Sequence, residues 1–160
     1  MTIAQFAVPP VVKTVFVRAT PAQAFDFFTR DMRRWWPLAQ NHVGPDPVQC
    51  LIEPRVGGHV FEQAADGRAT IWGTVTAWEP PRLLRFTWVV GLSAELAQLI
   101  ELRFTPQNDG RTQVQLTHSG WEKLGERAAD LRERYDRGWA KIFERCFVEY
   151  ANQATLTEGR

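Results

Sequence analysis

Between Val48 and His118 the chain passes through six short segments rich in β-branched and aromatic residues, each closed by a turn signal, and this succession constrains the fold more than any other feature. The segments are VQCLIEPR, GHVFEQA, ATIWGTVTAWE, RLLRFTWVV, QLIELRFTP and TQVQLTHS. Val56-Gly57-Gly58, Asp66-Gly67, Pro80-Pro81, the looser GLSAE stretch and Asn108-Asp109-Gly110 separate them. Connections this short join antiparallel neighbours. An earlier segment, VVKTVFVR, reads as a first strand. ATPAQAFDFFT follows it, with Thr20 placed to cap a helix and Pro21 to open it, and RDMRRWWP then allows a short second helix before Pro37 stops it. From about Asp130 to Gln153, Leu131, Tyr135, Trp139, Ile142, Cys146 and Tyr150 recur at helical spacing, which predicts one long amphipathic helix.

That helix needs a sheet to lie on, and period-two alternation shows which face it covers. Phe86, Trp88 and Val90 share one face while Arg85 and Thr87 take the other. In the next strand Leu96, Gln98, Ile100, Leu102 and Phe104 oppose Glu101 and Arg103, and in the last Val114, Leu116 and His118 point inward together. The expected fold is therefore α+β: a curved antiparallel sheet of about seven strands wrapped on a long C-terminal helix, with two short helices after the first strand. A chain of 160 residues suits a single domain, residues 1–160.

Composition excludes several function classes. Nineteen basic residues face eighteen acidic ones, scattered without a run, so neither a phosphate backbone nor nucleic acid is an expected partner. The start MTIAQFAVPP does not read as a signal peptide and no apolar run is long enough to span a membrane, so the expected location is the cytoplasm. Cys50 and Cys146 lie far apart among apolar neighbours and read as small buried hydrophobes. His42, His59 and His118 lack metal-ligand spacing, so no metal is expected; no dinucleotide or phosphate-loop fingerprint occurs, so no cofactor is expected either. His118 and Ser119 are strand neighbours pointing to opposite faces, which argues against a nucleophile and base pair. Glu53 and Glu62, on either side of the VGG hairpin, read as charges on the wet face of the sheet with a general base in the pocket as the alternative, and Arg33, Arg34 and Arg55 as solvated charges with an acidic ligand group as the alternative.

The helical start followed by WWP, then EPRVGGHVFE, the run DGRATIWGTVTAWEPPRLLRFTW, and the close LTHSGWE followed by RGW resemble the START-related, helix-grip superfamily, specifically the branch named after the activator of a heat-shock chaperone's ATPase. The resemblance spans nearly the whole chain. It implies a helix-grip fold with a cavity between sheet and long helix, which the superfamily uses for lipids, hormones, polyketides and other apolar molecules. The eponymous activator resembles this chain only through its C-terminal domain, so contact with a chaperone rests on the family name alone.

Within that frame the seven tryptophans point to a walled pocket. The candidate ligand-binding residues are Phe28, Trp35 and Trp36 from the early helices, Phe61, Phe86, Trp88, Leu102 and His118 from the strands, and Tyr135, Trp139 and Phe143 from the last helix. Gly73 and Gly138 favour a hollow beside them, although a tight helix-on-sheet contact explains Gly138 equally well. The expected partner is an apolar, aromatic or lipid-like small molecule, bound by a monomer or homodimer. His118, with Tyr135 as a second polar group, is the candidate acid/base for the alternative, a cyclase or dehydratase.

Overall fold

The structure, a computed structural model, describes residues 8–158. β1 (Val11–Val17) leads into α1 (Pro21–Thr29), and the predicted start of that helix is present in full. The Thr20 hydroxyl accepts from the Gln23 N–H at 3.2 Å, and the Gln23 side chain accepts from the Thr20 N–H at 3.0 Å, which satisfies two N–H groups at the helix start. A single turn, α2 (Met32–Trp35), follows before Pro37. The remaining strands are β2 (Pro47–Ile52), β3 (His59–Ala64), β4 (Ala69–Glu79), β5 (Leu83–Trp88), β6 (Gln98–Pro106) and β7 (Thr112–Ser119).

These make one antiparallel sheet in the order β1-β7-β6-β5-β4-β3-β2, so the first strand lies beside the last. Alternation holds through β5, β6 and β7, but Leu96, expected on the inner face of β6, lies in a short 3-10 turn before the strand and is only partly buried. Phe86 pairs with Ile100, Ile100 with His118 and Leu102 with Leu116, giving a continuous buried inner face. On the outer face Glu101 accepts from Arg85 at 2.7 Å and from Arg103 at 2.9 Å.

Alternation fails in β4, and the failure shapes the site. Val60 pairs with Gly73 but Phe61 pairs with Ile71, leaving Trp72 as the extra residue of a bulge. The bulge turns Trp72 inward, 1% exposed, and leaves Ile71 41% exposed. Gly73 permits this because a Cβ there would lie 1.7 Å from the Thr87 carbonyl oxygen. That glycine marks a close backbone approach between β4 and β5, and the expectation that it borders a hollow is corrected. In β3, Val60 and Glu62 face inward while Phe61 takes the opposite side. The expectation that Glu62 lies on the wet face is likewise corrected: only 2% of it is exposed.

After a 3-10 segment, Trp121–Arg127, the helical chain continues as α3 (Ala128–Trp139), a π-helical stretch (Ala140–Phe147) and α4 (Val148–Glu158). The helix thus extends beyond both predicted ends, and its buried stripe differs from the predicted one. Trp139, Phe143, Phe147 and Ala151 are buried, four residues apart, while Cys146 and Tyr150 are only partly so. A π turn holds more residues than an α turn, so positions four apart stay on one face through the stretch. Phe143 and Phe147 stack at 5.5 Å, and Phe147 meets Phe28 and Trp35 at 5.4 and 5.2 Å, which locks the helix onto α1 and α2. No described helix is long and apolar enough to cross a membrane.

Candidate functional site

A cavity of about 350 Å³ opens between the sheet, α3 and the loop that joins α2 to β2. The sheet contributes Trp72 and Trp88, the helix Tyr135, Gly138 and Trp139, and the loop region Trp36, Asn41, His42 and Val43; Arg134 stands at the rim. Four indoles form the wall. Trp36 lies 5.1 Å from Trp72, 5.9 Å from Trp139 and 6.4 Å from Trp88, and Trp72 and Trp88 are 5.8 Å apart. A Cβ added to Gly138 would meet nothing within 4 Å, so this glycine faces open space and not a tight helix-on-sheet contact.

Each wall indole has its N–H bonded to an acceptor within the protein. Trp36 donates to the Asn41 carbonyl at 3.0 Å, Trp72 to Glu62 Oε1 at 2.8 Å, and Trp139 to His118 Nδ1 at 3.0 Å. Trp88 donates to the Tyr135 hydroxyl oxygen at 2.9 Å. That phenol accepts one bond and has no acceptor for its own proton among the described residues. Burial pushes its pKa above the usual value, with the Trp88 bond opposing, so Tyr135 stays a neutral donor.

Glu62 holds the loop in place. Its Oε1 accepts from the Val43 N–H as well as from Trp72, and its Oε2 accepts from the Gly44 N–H at 2.8 Å. A buried carboxylate is tolerable because three donors replace its water. One side chain therefore orients a wall indole and pins the loop beside the opening.

His118 lies on the inner face, as alternation predicted, but the cavity stops short of it. It is fully buried, and Trp121 and Tyr135 pack on the ring at 4.4 and 4.8 Å. Because Trp139 donates to Nδ1, the ring proton resides on Nε2 and is donated to Gln98 Oε1 at 2.6 Å. Burial lowers its pKa to about 3, so the imidazole is neutral and both nitrogens are occupied.

The other predicted candidates divide. Trp36, Trp88, Tyr135 and Trp139 come together around the cavity. Phe28, Trp35, Phe86, Leu102 and Phe143 are buried in the core behind it, Trp35 donating to the Phe27 carbonyl at 2.8 Å. Phe61 is on the far face of the sheet. Arg33 and Arg34 are exposed. Trp72, Glu62 and His42 were absent from the predicted set. An unbroken alternation from Val60 would have placed Glu62 inward, whereas the bulge that turns Trp72 left no local signal beyond Gly73. Both cysteines are free, and burial pushes the Cys50 thiol up to about 12. Among the described residues no group of His, Cys, Asp and Glu is arranged to hold a metal ion.

Residues 18–151 match the family model described as Activator of Hsp90 ATPase homolog 1-like protein. Among solved structures the chain is similar to Txn09, an anthrahydroquino-gamma-pyrone synthase, with 31% identity over 81% of this chain and 88% of that one, at a TM-score of 0.55. It is also similar to CalC, a self-sacrificing resistance protein from Micromonospora echinospora, at 22% identity, covering 91% and 96% of the two chains with a TM-score of 0.65. Protein BH1534 from Bacillus halodurans is 23% identical, with coverage of 85% and 91% and a TM-score of 0.59. The last two similarities speak for the fold alone. No curated protein matches the chain.

Proposed function

The chain belongs to the Activator of Hsp90 ATPase homolog 1-like family, and from that membership we propose that its cavity binds a planar aromatic small molecule carrying an oxygen acceptor. The observation that carries the proposal is the Tyr135 hydroxyl, a neutral donor with an uncommitted proton, set among the indoles of Trp36, Trp72, Trp88 and Trp139. Flat walls favour flat ligands through area and ring contacts, and a single directed donor fixes their orientation. A cavity of about 350 Å³ is at the lower end of the usual range for ligand pockets, sufficient for a few fused rings. The 31% identical synthase is named for a ring system of that kind. Acid/base catalysis by His118 lacks support, since the ring is buried, neutral and bonded at both nitrogens.

Tryptophan fluorescence during titration with anthraquinone tests the proposal. The wild type should show saturable quenching, and Tyr135→Phe should bind about tenfold more weakly, as expected for one lost hydrogen bond of roughly 1.4 kcal/mol. Absence of saturable binding by anthraquinone and related planar ketones would overturn it.

A further inference from the structure

The rim of the cavity holds a second polar feature that binding of a flat ketone does not use. His42 Nδ1 lies 2.9 Å from the Gly44 carbonyl oxygen. A carbonyl oxygen only accepts, so Nδ1 carries the proton, and in the neutral ring Nε2 is left with its lone pair. That nitrogen has no partner among the described residues, and the ring is exposed at the cavity mouth. Its position is not left to a floppy loop. The amides of Val43 and Gly44, directly after His42, are both held by Glu62, and the Asn41 carbonyl just before it is held by Trp36.

Arg134 lines the same cavity from α3 and has no ion pair or hydrogen bond among the described residues. The titratable groups lining the cavity are therefore His42, Arg134 and Tyr135. The Glu62 carboxylate lies behind the loop with its oxygens already taken by Trp72 and the two amides, so it does not compete for the imidazole.

Resting on the binding proposal above, we infer that His42 is the proton acceptor of this cavity, and that its preferred ligands are phenols or enols bound as their anions, with Arg134 facing the charge. The transfer breaks the ligand O–H bond and forms an N–H bond at His42 Nε2, giving an imidazolium and a phenolate or enolate. No electrons change hands and no further reactant is needed. The lone pair takes the proton, and the imidazolium so formed, with the Arg134 guanidinium lining the same cavity, stabilises the anion, while Tyr135 donates to a second oxygen on the same ring system.

Alizarin, a hydroxyanthraquinone dye whose absorption moves to the red on ionisation, tests this alongside anthraquinone, which has no hydroxyl. The wild type should bind both, and bound alizarin should ionise at lower pH than free dye. A shift of about one unit corresponds to a roughly tenfold change in the ionised ratio. His42→Gln, which keeps an acceptor but not a base, should abolish most of that shift, and Arg134→Gln should reduce it. If the wild type binds both dyes but alizarin shows no shift, or if the shift survives in His42→Gln, the inference is overturned and the binding proposal stands. If neither dye binds, both are overturned.

Discussion

Lowering the pH should destabilise the protein through one buried side chain, His118. In the fold its ring is fully buried and neutral, with a pKa of about 3. In the unfolded chain it returns to the ordinary value of 6.5. Below that value the unfolded state binds a proton that the folded state rejects, so stability is complete above it and declines as pH falls, until the folded ring also protonates near 3. The decline approaches 1.36 kcal/mol per unit, which amounts to ~2 kcal/mol between about pH 7 and about pH 5. Carboxylates contribute at lower pH; Glu101 is one such group, where burial opposes ionisation but Arg85 and Arg103 hold the pKa below the usual value. Urea unfolding at the two pH values, for the wild type and for His118→Gln, isolates the effect. Glutamine can accept from Trp139 and donate to Gln98 without titrating, and His42 and His59 are present in both proteins and cancel. The stability gap between the two proteins should close by ~2 kcal/mol on acidification, equivalent to roughly 4–8 °C in melting temperature for a chain of this size. Parallel stability–pH curves would refute the placement of a neutral, sealed imidazole.

Gly138→Leu should leave the melting temperature equal or raised, since helix propensity improves by about 0.5–1 kcal/mol and the new side chain enters open space, yet anthraquinone quenching should disappear; a stable variant that binds normally would contradict the cavity's position. Gly73→Ala should lose ~3 kcal/mol or more because β4 and β5 must separate at Thr87, a drop of about 10 °C measurable by thermal denaturation. Glu62→Gln presents an amide N–H₂ to donors that need an acceptor, costing about 2 kcal/mol, and hydrogen exchange at the Val43 and Gly44 amides should speed up; unchanged protection would remove Glu62 as the tether of the loop.

The sequence by itself determined the elements and most of their faces. Thr20, Pro21 and Gln23 specify the start of α1 through contacts within four residues, and β5 to β7 bury the side chains that alternation assigns, because a strand's two faces follow from local backbone geometry. Turn residues set the antiparallel order for the same reason. Tertiary structure decided which of those inward residues reach the cavity. Trp35 and Trp36 are adjacent, yet the first seals the core against Phe147 and the second walls the pocket against Trp72, a division made by elements far away in the chain. Trp72 turns inward only because β4 bulges where Gly73 meets Thr87, and a bulge is a property of the pairing between strands. The π-helical stretch moved the buried stripe from Cys146 and Tyr150 to Phe147 and Ala151. His118 faces inward as its strand dictates, but Trp139 and Tyr135 arrive from another element to close it off, and Glu62 accepts three donors that lie 10 to 19 residues away. Local periodicity fixes direction; what a side chain meets in that direction depends on packing between segments distant in sequence, and no local pattern encodes it.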